Sequence, residues 1–387
     1  MNLPFVRNIK SKITSRLITN LNIQKLDKLE IASFILSEIG LGQAARNIIK
    51  AVDCVGVPIS LYNYPLRGRS SSRVCVDRIE NKHNSKFQLV VFPPTELKRF
   101  GRIPKEVHSI LYPYWELPRL NPKWVRKAQA FREIWAPSRY VEKIFLDAGF
   151  RTTLVPQPVC IPELLDPVPH RKSKLRILTY FDFDSRPARK NIHGTIQAFQ
   201  QSFPVQDDVE LLIKCRGVND EGTRRYLKEK IVSDRRLTLI DSYLSPLKMS
   251  ELMTGCDVFI SLHRSEGFGF GPAEALAAGK AVISTDYSGT IDFISEDTAY
   301  PVRYSLIPVK KGEYLEWKDQ KWADPDINHA AEILQSIYSN PEEAKIKGMK
   351  GREFMINHYS PKVVGDKIKK LLEVRGLITN SPSKNKV

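Results

Sequence analysis

The chain has 387 residues, of which 42% are hydrophobic and 27% charged, and a net charge of +17; it is long enough for two domains of ordinary size and basic enough to favour a polyanionic neighbour. No run of about eighteen apolar residues occurs, which argues against a membrane-spanning helix. The five cysteines, Cys54, Cys75, Cys160, Cys215 and Cys256, are scattered without a C-x-x-C pair or partner histidine spacing and suggest neither a zinc site nor a disulfide framework. Reduced cytosol is the predicted compartment, and charge alone leaves nucleic acid, an anionic membrane face and a phosphorylated substrate open as partners.

Residues 1–29 form a basic amphipathic segment. Val6, Ile9, Ile13, Leu17 and Leu21 recur at helical spacing, and Arg7, Lys10, Lys12 and Arg16 precede any acid. That pattern suits a helix on an anionic membrane surface, and equally a helix packed on its own domain. It lacks the apolar core and cleavage site of a secretory leader.

From residue 30 the chain alternates strand-like and helix-like segments. "EIASFILS" (30–37) predicts a strand, "EIGLGQ" a turn, "AARNIIKAVDCVG" a helix and "PISLYNY" a second strand. Further strands are expected at 88–92, 108–114 and 133–137, the last leading into the helix "RYVEKIFLDAG". A proline-rich stretch from Val155 to Lys174 interrupts the pattern, with residues 161–174 as the linker between a first domain at 30–160 and a second at 175–357. The second half restarts with "LRILTYF", "NIHGTIQAFQQSF", "VELLIKC", "EGTRRYLKEKIV", "LTLID", "PLKMSELMTGC" and "DVFISL", alternately strand and helix. Two α/β units of this kind predict two Rossmann-like, doubly wound domains facing a central cleft, with ligands beyond the carboxyl ends of the strands.

At that edge stands "SEGFGFGPAEALAAGKAVISTD". Gly267, Gly269, Gly271 and Gly279 mark sharp turns or close approach, and Pro272 fits the first turn of the following helix. Its amino terminus, at Gly271, then offers free N–H groups to an anion.

This stretch resembles the donor-binding signature of the group 1 (family 4) retaining glycosyltransferases, in which two glutamates are separated by seven residues, as Glu266 and Glu274 are here. "FDFDSRPARKNIHGTIQAFQ" at 181–200 is similar to the strand, basic loop and helix that open the family's second domain, and "SEIGLGQAARNI" at 37–48 to the glycine loop of its first. The resemblance spans most of residues 30–375 and implies a GT-B fold and transfer of a sugar from a UDP- or GDP-linked donor, without metal or other cofactor. It implies that Glu274 grips the ribose and that Glu266 faces the sugar or the reaction centre. The backbone of Gly267, Phe268 and Gly269 shapes the sugar pocket. Lys190, with Arg189 or Arg186, neutralises the diphosphate, helped by backbone donors of the Gly40–Gly42 loop and of the helix after Gly271. A helix at 358–377 is expected to cross back to the first domain, ahead of a polar tail at 378–387.

One departure concerns the acceptor side. Many family members carry a histidine there, whereas Tyr112–Trp124 has none and His108 lies too early, inside a strand. Tyr114, Trp115 and Glu116 stand at that edge, with Glu116 to orient an acceptor or donor hydroxyl and Trp115 to stack on a sugar, or else to form a buried aromatic cluster. Asp182 and Asp184 mimic a metal-binding D-x-D, but their place beside the basic loop argues for a structural role.

A nucleotide sugar and a saccharide or lipid-linked saccharide are therefore the expected partners. The expected setting is cell-surface polysaccharide or lipid-linked glycan assembly in the cytoplasm, extended to the inner face of the plasma membrane. A non-catalytic nucleotide-sugar binder or another GT-B enzyme, such as an epimerase or phosphorylase, is the alternative. A nucleic-acid-binding protein is favoured only by charge, since no recognition motif is present.

Overall fold

The computed structural model describes residues 28–66, 72, 74–101, 103–164 and 174–377. The expected amphipathic segment up to residue 27, residues 165–173 of the linker and the tail from 378 lie outside these.

The alternation of the sequence folds as two six-stranded sheets. The first holds β1 (Leu29–Ser33), β2 (Ile59–Asn63), β3 (Phe87–Val91), β4 (His108–Tyr112), β5 (Glu133–Ala136) and β6 (Thr152–Leu154), in the order β2-β1-β3-β4-β5-β6. The second holds β7 (Leu175–Asp182), β8 (Val209–Arg216), β9 (Leu237–Asp241), β10 (Val258–Ser261), β11 (Ala281–Thr285) and β12 (Tyr300–Val302), in the order β12-β11-β10-β7-β8-β9. Their pairings are parallel. Parallel neighbours require crossovers, which place helices on the faces, and every residue of β1, β3 and β11 is accordingly buried. The strand order reverses beside β1 and beside β7, which opens a crevice at the carboxyl ends of both sheets.

The strand expected at 30–37 stops at Ser33. Beyond it the backbone turns, with the Ser37 amide on the Phe34 carbonyl at 2.9 Å. The Arg46 guanidinium then takes the carbonyls of Ile35 and Ser37 at 2.7 and 3.2 Å. Apolar residues at 34–36 thus serve a tight loop rather than a strand. The sequence reading also lacked an antiparallel hairpin, β13 (Tyr304–Pro308) with β14 (Lys321–Pro325), which stands apart from both sheets.

Helix Pro341–Tyr359 ends at Ser360, and Pro361 starts a new helix, Pro361–Val374, which returns to the first sheet and packs along helix Gly40–Asp53. Arg375, just after its end, forms an ion pair with Glu133 of β5 at 2.6 Å. One apolar cluster runs from Ile48 and Val52 through Ile368 and Leu372 to Phe268 and Phe293 beside the second sheet. The two halves are joined at this side by a packed core.

Candidate active site

The chain leaves β10 at Ser261 and runs as a loop to Gly269, where helix Phe270–Ala277 begins. Gly269 has φ +97°, and a Cβ there would stand 2.3 Å from Thr290 Cγ2, so only glycine makes this turn. Pro272, third in the helix, has no N–H, and the Ala273 amide is already on the Gly269 carbonyl at 3.1 Å. The amides of Phe270 and Gly271 are the ones left to meet an anion.

A second segment approaches this loop from β7. After Asp182, Arg186 and Asn191 both take left-handed backbone, φ 64° and 52°, and bracket the single helical turn Pro187–Lys190. Such conformations cost about 1 kcal/mol or more each and persist where the surroundings fix them. Here they send successive cations in different directions. Arg189 is 5% exposed; its Nη1 donates to the Ser265 carbonyl at 2.8 Å and meets Glu266 Oε2 at 2.8 Å. Lys190 places its ammonium on the other oxygen of Glu266 and keeps part of its side chain exposed. Arg186 is exposed.

Burial alone would raise the Glu266 carboxyl, but Arg189, Lys190 and nearby His263 outweigh it and hold it at about 2. Burial lowers Lys190, and Glu266 partly restores it. Glu266 is thus a fixed carboxylate between two cations. His263, buried under the loop between Ser261 and the Tyr287 carbonyl, is pushed down to about 4 by burial and is neutral. Glu274 differs. It is half-buried, its carboxylate accepts from the Tyr180 hydroxyl, and burial raises it with only partial compensation by Tyr180.

The first sheet touches this loop directly. Ser138 donates its hydroxyl to the Gly267 carbonyl at 2.6 Å, and the Glu116 carbonyl accepts from Ser265 Oγ and, at 3.1 Å, from the Tyr140 hydroxyl. The Glu116 carboxylate accepts from Tyr314 and lies 3.9 Å from Arg189. Glu266, Lys190, Arg189 and Glu116 therefore form one connected charge array, with Gly267 at its edge. Phe268 supplies only backbone to this region, because its ring is buried against Phe270, Phe293 and Tyr359.

Trp115 does not offer a stacking face. It is 1% exposed, its indole N–H donates to the Arg119 carbonyl at 3.1 Å, and Tyr314 packs edge-on against it. The main chain of Trp115 abuts Gly267. Of the first-half glycines, Gly40 is exposed at the start of its helix, whereas Gly42 is buried. A Cβ on Gly42 would stand 2.0 Å from the Ser37 carbonyl oxygen, so Gly42 lets the 34–39 loop close on the helix.

Asp182 binds Arg216 at 3.1 Å and the Asp184 amide at 2.8 Å, and Asp184 accepts from the amides of Val218 and Asn219. Both carboxylates cap turns. Among the described residues no group of three His, Cys, Asp or Glu side chains is placed to hold a metal ion. A cavity of about 500 Å³ lies beside the array, lined among others by Glu116, Arg186, Trp124 and Tyr314.

Residues 177–303, which include both basic and glycine-rich loops, match the family model for glycosyl transferases group 1. Over these residues the chain is similar to the group 1 glycosyltransferases. No curated protein matches the sequence. Among solved structures, Anabaena Alr3699/HepE in complex with UDP and glucose superposes with TM-score 0.62 at 13% identity, over 90% of this chain and 99% of that one. Sucrose-phosphate synthase of Thermosynechococcus elongatus gives 0.63 at 15% identity, over 90% and 98%. OtsA gives 0.62 at 10%, over 92% and 100%. The fold is GT-B. Tyr180, Ser138, Arg46 and Tyr314 escaped the sequence reading. Only Tyr180 carried a signal, since strand alternation puts it on the face of Leu178 and Asp182, at the edge where ligands bind.

Proposed function

We propose that the protein moves a sugar from a nucleoside-diphosphate carrier to a saccharide hydroxyl, with retention at the anomeric carbon and without a metal ion. The observation that carries this reading is the Lys190–Glu266–Arg189 array beside a glycine-lined helix amino terminus. Breaking the glycosidic bond to a diphosphate builds negative charge on the leaving group, and a site for it must present fixed positive ends. Lys190, Arg186 and the amides of Phe270 and Gly271 supply them, with the exposed start of helix Gly40–Asp53 on the facing side. Arg189, occupied by Glu266 and Ser265, acts by holding Glu266 toward the sugar. Glu274, braced by Tyr180, takes the ribose hydroxyls. The group 1 family match and the UDP-bound structure of Alr3699/HepE support this use of the fold.

The basic balance of the chain fits an anionic bilayer and a lipid-linked acceptor in cytoplasmic glycan assembly. The test is a screen of UDP- and GDP-sugars for thermal stabilisation, followed by transfer assays with NMR assignment of the product anomer and with a strong chelator present. Stabilisation by no nucleotide sugar, or activity abolished by chelator and restored by Mg²⁺ or Mn²⁺, overturns the reading or its metal-free part respectively.

A further inference from the structure

The family match ends at residue 303, and the β13–β14 hairpin begins at Tyr304. The hairpin is held from both halves of the molecule. In β14 the Ala323 amide donates to the Arg264 carbonyl of the loop after β10 at 3.0 Å. In the connecting loop the Gln320 side chain accepts from the Arg119 amide at 3.2 Å and Glu316 pairs with Lys123, both on the first half. β13 lies on the outside of this arrangement, with no strand beyond it among the described residues.

The ladder decides which backbone groups of β13 are left over. The Val309 amide donates to the Gln320 carbonyl at 2.9 Å and the Asp326 amide to the Arg303 carbonyl at 2.8 Å, so the odd-numbered residues pair with β14. The amides and carbonyls of Tyr304 and Leu306, and the carbonyl of Pro308, therefore point outward. By the same alternation the side chains of these residues share one face, where Leu306 is 51% and Tyr304 39% exposed. Unpaired edges of natural sheets are blunted by charged side chains, lysine above all. This chain has 60 lysines and arginines and 43 acidic residues, yet residues 304–309 contain none of them.

The occupant that fits this edge is the same edge of a second copy. With a net charge of +17, two copies repel over most of their surface, so self-association needs an uncharged strip with opposite charges at its ends. Two β13 strands laid antiparallel, Leu306 opposite Leu306, satisfy both conditions. The two Leu306 residues exchange amide–carbonyl bonds, and each Tyr304 amide meets the Pro308 carbonyl of the other copy, with Tyr304 packed over that proline. In this register Lys310 falls opposite Val302 of the other copy. The Asp286 amide donates to the Val302 carbonyl at 3.0 Å, and burial, followed by the Asp286 carboxylate, raises the Tyr304 phenol, so Asp286 stands beside that ring. Lys310 and Asp286 are both exposed, and neither forms an ion pair among the described residues.

We propose that β13 is a homodimer interface, in which two copies pair antiparallel about Leu306 and Lys310 of each meets Asp286 of the other. The contact is isologous and closes on itself, so it makes a dimer and no longer chain of subunits.

The test is sedimentation velocity on the full chain over a dilution series. A strip this small belongs with the weak, transient interfaces, for which a dissociation constant on the order of 10 µM is expected. Leu306→Lys sets like charges directly opposite each other and should raise that constant about tenfold or more. Lys310→Asp and Asp286→Lys should each weaken the dimer about tenfold, and the double exchange should return it to within about threefold of wild type, a rescue that a folding defect cannot mimic. A wild type that stays monomeric up to about 100 µM, a dimer indifferent to Leu306→Lys, or charge reversals that do not rescue each other would each overturn the interface. So would a monomer that binds phosphatidylglycerol vesicles through Leu306, which would make the strip a lipid contact.

Discussion

Arg189 and Lys190 are adjacent cations on one carboxylate, yet their surroundings predict opposite phenotypes. Replacing Arg189 by Met removes the 2.8 Å pair with Glu266 and a donor to the Ser265 carbonyl, in a place where Arg189 is 5% and Glu266 7% exposed. Breaking a buried pair from one side costs about 3–5 kcal/mol, and the retained Lys190 puts this case near the lower end, about 3 kcal/mol. The acid range gives the sign. Glu266 is depressed to about 2 from an ordinary 4.5, so its contribution is fully present above pH 4.5 and is lost as pH falls through about 2. The stability gap between wild type and Arg189→Met should therefore be full at neutral pH and shrink across that window. Denaturant titration at each pH reads it as a midpoint shift at constant slope. Nucleotide affinity, measured by calorimetry, should change by less than about threefold, because this guanidinium is buried and holds both Glu266 and the Ser265 carbonyl, whereas the Lys190 ammonium is partly exposed. Lys190→Met should do the reverse, with a nucleotide affinity lower by about tenfold or more. An Arg189→Met protein of wild-type stability that has lost nucleotide binding would refute the division of roles.

Glu274→Gln should weaken UDP or GDP binding by about 1.5–3 kcal/mol, while Glu266→Gln should spare free nucleotide and lower turnover; calorimetry and initial rates separate the two, and equal losses would contradict the assignment. Gly365→Ala places a Cβ 2.1 Å from the Ala51 carbonyl oxygen, so helix Pro361–Val374 must lift from helix Gly40–Asp53, at about 1–3 kcal/mol by chemical denaturation. Arg375→Met removes the pair with Glu133, which burial would raise but His108 and Arg375 hold at about 2. The loss, about 3 kcal/mol at neutral pH, should fade between pH 4.5 and about 2, and a loss independent of pH would point to packing instead.

The sheets were legible in the sequence because buried parallel strands are short apolar runs, and "QLVVF", "LRILTYF" and "DVFISL" can be little else between turn residues. The hairpin was not. Tyr304, Ser305, Leu306 and Pro308 are exposed on one strand, so no alternation marks it. Its loop, "KKGEYLEWKDQ", reads as a solvated tether until the partner surface at Arg119–Lys123 is seen. That surface lies some two hundred residues away in sequence, and local periodicity carries no information about it.

The site divides along the same line. Glu266, Glu274 and the glycines were legible because their spacing within one loop and helix fixes their geometry: eight residues from loop to second helical turn leave both carboxylates near one helix amino terminus. The direction of each cation was not, since Arg186, Arg189 and Lys190 share one short loop, bracketed by left-handed residues at Arg186 and Asn191 that the sequence does not announce. Nor was the fate of Trp115. An aromatic residue at a sheet edge reads as a sugar platform or as core with equal ease; in the fold the Trp115 main chain lies against Gly267 and the indole lies in the core. A larger residue at 267 would push the two domains apart at this contact. Gly267→Ala, with Cβ at 3.2 Å from the Trp115 carbonyl oxygen, is accordingly a substitution that the donor loop alone would tolerate and the assembled cleft resists.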